Sequence, residues 1–169
     1  METKEAIFKR RSIRKYKNIP LDQAQVEALL RAAMAAPTGR NIQDWRFVVV
    51  RERGNLQKIM LAHPYAKMVE TAPLAIIVCS DFIVDNAARF WEVDCAAAIQ
   101  NIMIAATGMG LGSVWLGVSN DKARLEGIKK YFELPENIMP VGIVVVGTAD
   151  EEKQPEDRYD PAKVHYEKW

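Results

Sequence analysis

Residues 94–117 read DCAAAIQNIMIAATGMGLGSVWLG, and the order of events in this stretch decides the fold. An alanine-rich run, apolar almost all round, comes first. Gly108, Gly110 and Gly112 follow, and GSVWLGV then has the composition of a strand. The apolar run, taken from FWEVDCAAAIQNIMIAATGMG, predicts a helix at the centre of the structure. Asp94, Gln100 and Asn101 are its polar exceptions, and this polarity argues for a buried helix rather than a membrane span. The glycines are not a dinucleotide fingerprint. That motif needs G-x-G-x-x-G in the order strand, turn, helix, whereas here the helix precedes the glycines and the strand follows. A helix C-cap and a tight connection explain them.

Working outward, LAIIVCS is apolar throughout, as expected of a strand buried on both faces. RFVVVRE and MPVGIVVVGTA complete a set of four strands with LAIIVCS and GSVWLGV. Residues 3–10 predict a short helix. IPLDQAQVEALLRAAMAAP predicts a longer one, since Val26, Leu29, Leu30, Ala33 and Met34 recur on one face, with Asp22 at its start and Pro37 at its stop. NLQKIMLA and YAKMVETA predict short helical pieces on either side of Pro64. NDKARLEGIKKYFEL predicts an amphipathic helix opened by Asn120 or Asp121. Strands and helices alternate, so a helix-covered sheet is expected. The last twenty or so residues are charged and carry Pro155 and Pro161. They predict an extended tail that needs an outside surface, and a partner subunit is the natural one.

The length of 169 residues suggests one domain over 1–169. A net charge of +1 gives no global field for nucleic acid. Cys79 and Cys95 lack metal-ligand spacing and read as buried reduced thiols, as expected in the cytoplasm. METKEAIFKR lacks the apolar core of a signal peptide. His63 and His165 show no metal pattern, and no Walker loop or Ser-His-Asp arrangement stands out. If the chain is an enzyme, its chemistry belongs to a cofactor.

Two segments carry candidate contacts. RRSIRKY, residues 10–16, has four cations among its seven residues, interrupted by Ser12 and Ile13. In extended backbone Arg10, Ser12 and Arg14 share one side, while Ile13 points to the core. Two guanidiniums and a hydroxyl suit a phosphate and neighbouring carbonyl oxygens. The bland alternative is a solvated basic start to the chain. The loop APTGRNIQDW, residues 36–45, gathers a hydroxyl, amides and flexible backbone beside Trp45, with Gly39 free to take positive φ. Its alternative is an ordinary helix-to-strand turn.

In register over essentially the whole chain, these segments resemble the nitroreductase family of FMN-dependent flavoproteins. The resemblance rests on RRSIRKY, APTGRNIQDWRFVVV, KMVETAPLAIIVCS, DCAAAIQNIMIAATGMGLGSVWLG and a terminal R-x-x-P-x-x-x-H-Y-E-K-W. It implies an α+β fold with a central, mostly antiparallel sheet flanked by helices. It further implies an intertwined homodimer that exchanges a C-terminal strand and holds FMN at the subunit interface. Carried over by position, Arg10, Arg11 and Ser12 face the ribityl phosphate side, and Arg158 closes on the phosphate. Arg14 lies at the N1/O2 edge of the flavin, with Lys67 beside it. Pro37, Thr38, Gly39, Asn41 and Gln43 come from the other subunit. Trp115, Leu116 and Gly117 run past the ring, and the Gly117 amide donates to N5. Asp44 stands where the family often has proline. Glu156 and Asp157 precede Arg158 where a basic residue is common, and Pro64 replaces a polar contact of some members.

The resemblance implies two-electron reduction of nitroaromatics, quinones or similar acceptors by NADH or NADPH, in a ping-pong cycle with one pocket for both substrates. Arg14 would stabilise charge on the reduced flavin, and no metal is implied. Alternatives are an FMN storage or sensor protein without turnover and a flavin-dependent dehalogenase-like relative. A nucleic-acid module fits poorly, because no aromatic-basic stripe is present.

Overall fold

The computed structural model describes all 169 residues. Its elements run α1 (Thr3–Lys9), α2 (Gln23–Met34), β1 (Trp45–Val50), α3 (Arg53–Ala62), β2 (Leu74–Asp81), α4 (Ala87–Gly108), β3 (Gly112–Gly117), α5 (Lys122–Tyr131) and β4 (Ile138–Gly147). The strands form one sheet in the order β1-β2-β4-β3, every pair antiparallel. The fold is α+β, with helices on both faces.

The two central strands are apolar along most of their length because each face of the sheet carries its own core. Leu74, Ile76 and Val78 of β2, with Val144 and Val146 of β4, pack under α2 and α4. Ala75, Ile77 and Cys79, with Ile143 and Val145, pack under α3 and α5. The period of two sends alternate residues to opposite cores. Each fully buried Ile or Leu contributes about 1.5–3 kcal/mol. The β2–β4 register shifts between Val78 and Cys79. Beyond that shift, the carbonyl of Val141 accepts from the amides of both Val118 and Ser119, at 3.0 and 3.1 Å.

Local signals set the ends of the helices. Asp22 and Gln25 form a complete capping box at α2. Asp121, not Asn120, caps α5 by accepting from the Arg124 amide at 3.0 Å. At the end of α4, Gly110 takes φ +75°. The Leu111 amide reaches back to Ala106 O at 2.8 Å and that of Gly110 to Thr107 O at 3.0 Å, the paired bonds of a glycine-terminated helix. YAKMVETA is shorter than the expected helical piece, forming only a 3-10 turn at Lys67–Glu70 before Pro73 enters β2.

Helix α4 lies on one face of the sheet with its far side uncovered. Asp94, Cys95, Ala98, Ile99, Ile102, Met103 and Ala106 are buried, yet Val93 is 65% exposed. The tail beyond Asp150 forms no strand in the single chain, only a 3-10 turn at Pro161–Lys163. No helix is long and apolar enough to cross a membrane.

Candidate functional site

Arg10 caps the end of α1, and the chain then runs extended beside the start of β3. Ser12 bridges Ser113 in parallel, with the Ile13 amide donating to Ser113 O at 2.9 Å. Ile13 is buried over Gly112, where an added Cβ would stand 2.9 Å from its Cγ2. The alternation is therefore realised: Ile13 faces in, while Arg10, Ser12 and Arg14 line a cavity of about 260 Å³. Arg11, Arg158 and Lys153 complete its wall, and no carboxylate side chain does. Burial, followed by the neighbouring Arg158 and Arg11, pulls the Arg10 pKa below its ordinary value. Crowded cations of this kind are relieved by an anion. Glu156 provides part of that relief from the rim, accepting from Arg11 Nη1 at 2.8 Å and from Arg158 Nη2 at 2.9 Å.

Arg14 belongs to a second and larger cavity too, about 690 Å³, which it shares with Lys67, Tyr65 and Pro64. It is the one residue common to both cavities. The Arg14 amide donates to the Glu151 carboxylate, and Lys153 Nζ donates to Ser12 O at 2.6 Å. The start of the tail thus pins the basic segment in place.

Strand β3 is at the edge of the sheet. The carbonyl of Ser113 bonds Ile13, away from β4, while the Val118 amide bonds Val141, toward β4. Alternation then turns Ser113, Trp115 and Gly117 to the free edge, amide and carbonyl alike. The Gly117 carbonyl accepts from His63 Nε2 at 3.0 Å and from Arg124 Nη1 at 3.4 Å. His63 is buried and its Nδ1 accepts from the Tyr65 amide at 3.3 Å. Burial lowers its pKa, the main cause of the shift, so the ring is neutral with the proton on Nε2. Trp115 lies across Gly142, where a Cβ would meet its Nε1. The Leu116 side chain is turned into the core beneath α3 and α5, so only its backbone can reach a ligand on this edge.

The loop at residues 37–43 sits at the other end of α4 from Ser12. Gly39 adjoins Asp94, whereas Ser12 adjoins β3 just beyond Gly110; along α4 these points lie about 24 Å apart. Gly39 does not take the positive φ expected of it; Arg40, Asn41 and Gln43 do, at 57°, 57° and 52°. Glycine is required there for close approach instead, since a Cβ would stand 2.6 Å from the Phe90 ring. The Gln43 amide donates to Thr38 Oγ1 at 3.1 Å and Gln43 Nε2 to Asn41 Oδ1 at 2.9 Å. Pro37, Arg40, Asn41 and Gln43 are exposed.

Within one chain, then, Arg10, Arg11, Ser12, Arg14 and Arg158 come together, and Lys67 joins them through Arg14. The loop at 37–43 does not. Lys153, His63 and Arg124 were missed as site residues. Lys153 stands five residues before Arg158 in a tail whose charges alternate, and nothing local marks it.

The fold and site define an α+β protein whose edge strand, β3, adjoins a basic cavity lined by no carboxylate. The profile of the Nitroreductase family matches residues 7–67 and 57–148. The chain belongs to the nitroreductase family. A protein of Methanothermobacter thermautotrophicus provisionally named NADH dehydrogenase/NAD(P)H nitroreductase is 43% identical over 169 residues, 100% of this chain and 88% of its own length. A crystal structure from Bacteroides thetaiotaomicron, with the same provisional name, aligns with TM-score 0.93 at 41% identity, covering 99% of this chain and 98% of that one. A Clostridium difficile protein described as an FMN-dependent nitroreductase aligns with TM-score 0.90 at 28% identity, covering 97% of this chain and 98% of that one.

Proposed function

We propose that this chain is an NAD(P)H-dependent oxidoreductase that binds FMN as a homodimer and reduces nitroaromatics, quinones or similar small aromatic acceptors. The observation that carries the reading is the pair of cavities meeting at Arg14, one basic and free of carboxylates, the other larger and walled in part by Tyr65. The donor set fits FMN: guanidiniums, an ammonium and a hydroxyl for its phosphate, then a cation and a strand edge for its ring.

FMN supplies a carrier that takes hydride from a nicotinamide and returns two electrons to an acceptor. The protein's part is binding, orientation and charge. Arg10, Arg11, Ser12, Lys153 and Arg158 hold the phosphate by charge-assisted hydrogen bonds. Arg14 and Lys67 hold the negative charge that reduction places at the N1/O2 edge, already oriented before it forms. The Gly117 amide, on the free edge of β3, serves as donor to N5. Trp115 and the Leu116 backbone flank the ring. Pro37, Thr38, Gly39, Asn41 and Gln43 come from the partner subunit, in keeping with their distance from Ser12 along α4. The partner also covers the open side of α4 at Val93 and receives the tail. The buried, unpaired Cys79 and Cys95 and the use of a nicotinamide support a cytoplasmic setting.

The test is the absorption of the purified chain, followed by anaerobic oxidation of NADH and NADPH with a quinone acceptor. A yellow protein with flavin absorption and steady turnover is expected. A yellow protein without turnover is a storage or sensor protein, and a protein that takes up no FMN overturns the reading.

A further inference from the structure

Gly117, the last residue of β3, has its carbonyl held by two side chains, one from the end of α3 and one from the start of α5. His63 caps α3 and is 2% exposed, and its Nε2 donates to Gly117 O at 3.0 Å. Arg124 lies in the first turn of α5, and its Nη1 donates to the same oxygen at 3.4 Å. The backbone of His63 is itself fixed: its amide donates to Ile59 O at 2.9 Å and its carbonyl accepts from the Ala66 amide at 3.0 Å. Close packing of α3 on α5 brings the two side chains together, since a Cβ at Gly127 would stand 3.1 Å from that of Ala62.

The same two side chains hold Tyr65, a wall of the larger cavity. The Tyr65 amide donates to His63 Nδ1 at 3.3 Å, and the imidazole meets the phenol ring edge-on with centroids 6.1 Å apart. The Arg124 guanidinium stands over that ring at 5.3 Å. Tyr65 is 68% exposed, so these contacts rather than the core fix its place. Arg124 lines neither cavity, so it acts through Gly117, through Tyr65 and by its charge. Its side chain is 19% exposed, and its Nε is buried without a hydrogen-bond partner, 3.7 Å from Asp121 Oδ2. A cation set back from water in this way is screened much less than one in solvent.

We propose that His63 and Arg124 form one brace that holds the Gly117 edge and the Tyr65 wall at a fixed separation, and that the Arg124 charge biases bound FMN toward its reduced form. Both are positioning residues. The bias rests on the proposed place of the flavin at Gly117, whereas the brace is a property of the chain alone. Reduction adds negative charge to the ring, and a cation already in place needs no reorganisation when that charge forms.

Hydrogen exchange of the full chain without flavin tests the brace. His63→Leu is expected to speed exchange at Tyr65, and at Val118 and Ser119 next to Gly117, by about tenfold or more beyond any change in the amides of β2. His63→Gln, which keeps a donor, is expected to restore Val118 and Ser119. Should His63→Leu not fold, His63→Asn, polar but too short to reach the carbonyl, reads the strand end. Exchange at Val118 and Ser119 that only follows β2 overturns the brace, whatever the chain binds. The midpoint potential of the FMN-loaded protein tests the bias. Arg124→Gln is expected to shift the balance about tenfold toward oxidised FMN, a fall of about 30 mV for a two-electron couple. Arg124→Lys, which keeps the charge, is expected to hold the parent's potential, and Asp121→Asn, which still caps α5, to raise it. An unmoved potential in Arg124→Gln, or equal falls in Arg124→Gln and Arg124→Lys, overturns the bias. If the parent takes up no FMN, the proposed function and the bias fall together, and exchange alone decides the brace.

Discussion

His63 donates from Nε2 to the carbonyl of Gly117 at 3.0 Å, so a buried neutral imidazole fixes the last residue of the edge strand. His63→Leu leaves the Tyr65 amide without its partner and the Gly117 carbonyl with only the longer Arg124 contact at 3.4 Å. We expect a stability loss of about 1–3 kcal/mol, most of it recovered by His63→Gln, which keeps a donor. The His63 pKa is depressed below its usual 6.5. Its contribution is therefore full above 6.5 and lost as the pH falls toward the depressed value. Urea unfolding of parent and His63→Gln at successive pH values measures both effects. A parent whose stability does not fall on acidification relative to His63→Gln contradicts the neutral ring.

Arg10→Ala removes a charge-assisted phosphate contact worth about 1.5–3 kcal/mol, so FMN affinity should fall about ten- to a hundredfold. Riboflavin, which lacks the phosphate, should bind parent and variant about equally. Fluorescence titration with both flavins decides it: equal weakening of the two removes Arg10 from the phosphate site.

Arg14, common to both cavities, should act on redox balance where Arg10 does not. The phosphate is charged in both redox states, whereas ring charge appears only on reduction. Arg14→Ala should lower the flavin midpoint potential, by about 30 mV for each 1.4 kcal/mol of lost preference, and Arg10→Ala should leave it nearly unchanged. Photoreduction against a reference dye measures this. A rise for Arg14→Ala, or equal shifts, means that the two ends are misassigned.

Glu156 occupies Arg11 and Arg158 from the rim of the basic cavity. An exposed pair of this kind is screened by solvent and contributes little. Glu156→Gln should therefore tighten FMN only slightly, with no change for riboflavin. Weaker FMN binding in this variant would make Glu156 part of the cradle rather than a competitor in it.

Truncation after Asp150 removes Glu151 and Lys153, which tie down Arg14 and Ser12, along with Arg158. It should abolish both dimer and flavin binding. A flavin-loaded monomer in sedimentation would refute that.

What could be read from the sequence was what repeats or caps locally. The apolar runs of β2 and β4 announced burial on two faces, Gly110 announced the end of α4, and the alternation in RRSIRKY announced Ile13 as its inward residue. Gly39 was legible as a special position but for the wrong cause, since its reason is the ring of Phe90, fifty-one residues away. Asp44 and Lys153 were illegible for the same kind of reason. One looks like any loop acid until β2 and α4 close over it, and the other looks like any tail lysine until the tail folds back on Ser12. His63 was set aside for lack of metal spacing, because a histidine that serves a carbonyl needs no companion in the sequence.

The edge position of β3 has a bearing on how the protein avoids pairing with other strands. A bare strand edge is a template for the backbone of another molecule. Here the first part of that edge is closed by the Ser12–Ser113 bridge, and the far end by the imidazole on Gly117. What remains is a gap one strand-step long at Trp115, the place proposed for the ring. A group bound there would double as a guard against misassembly, and the apoprotein would be the form more prone to edge-to-edge association.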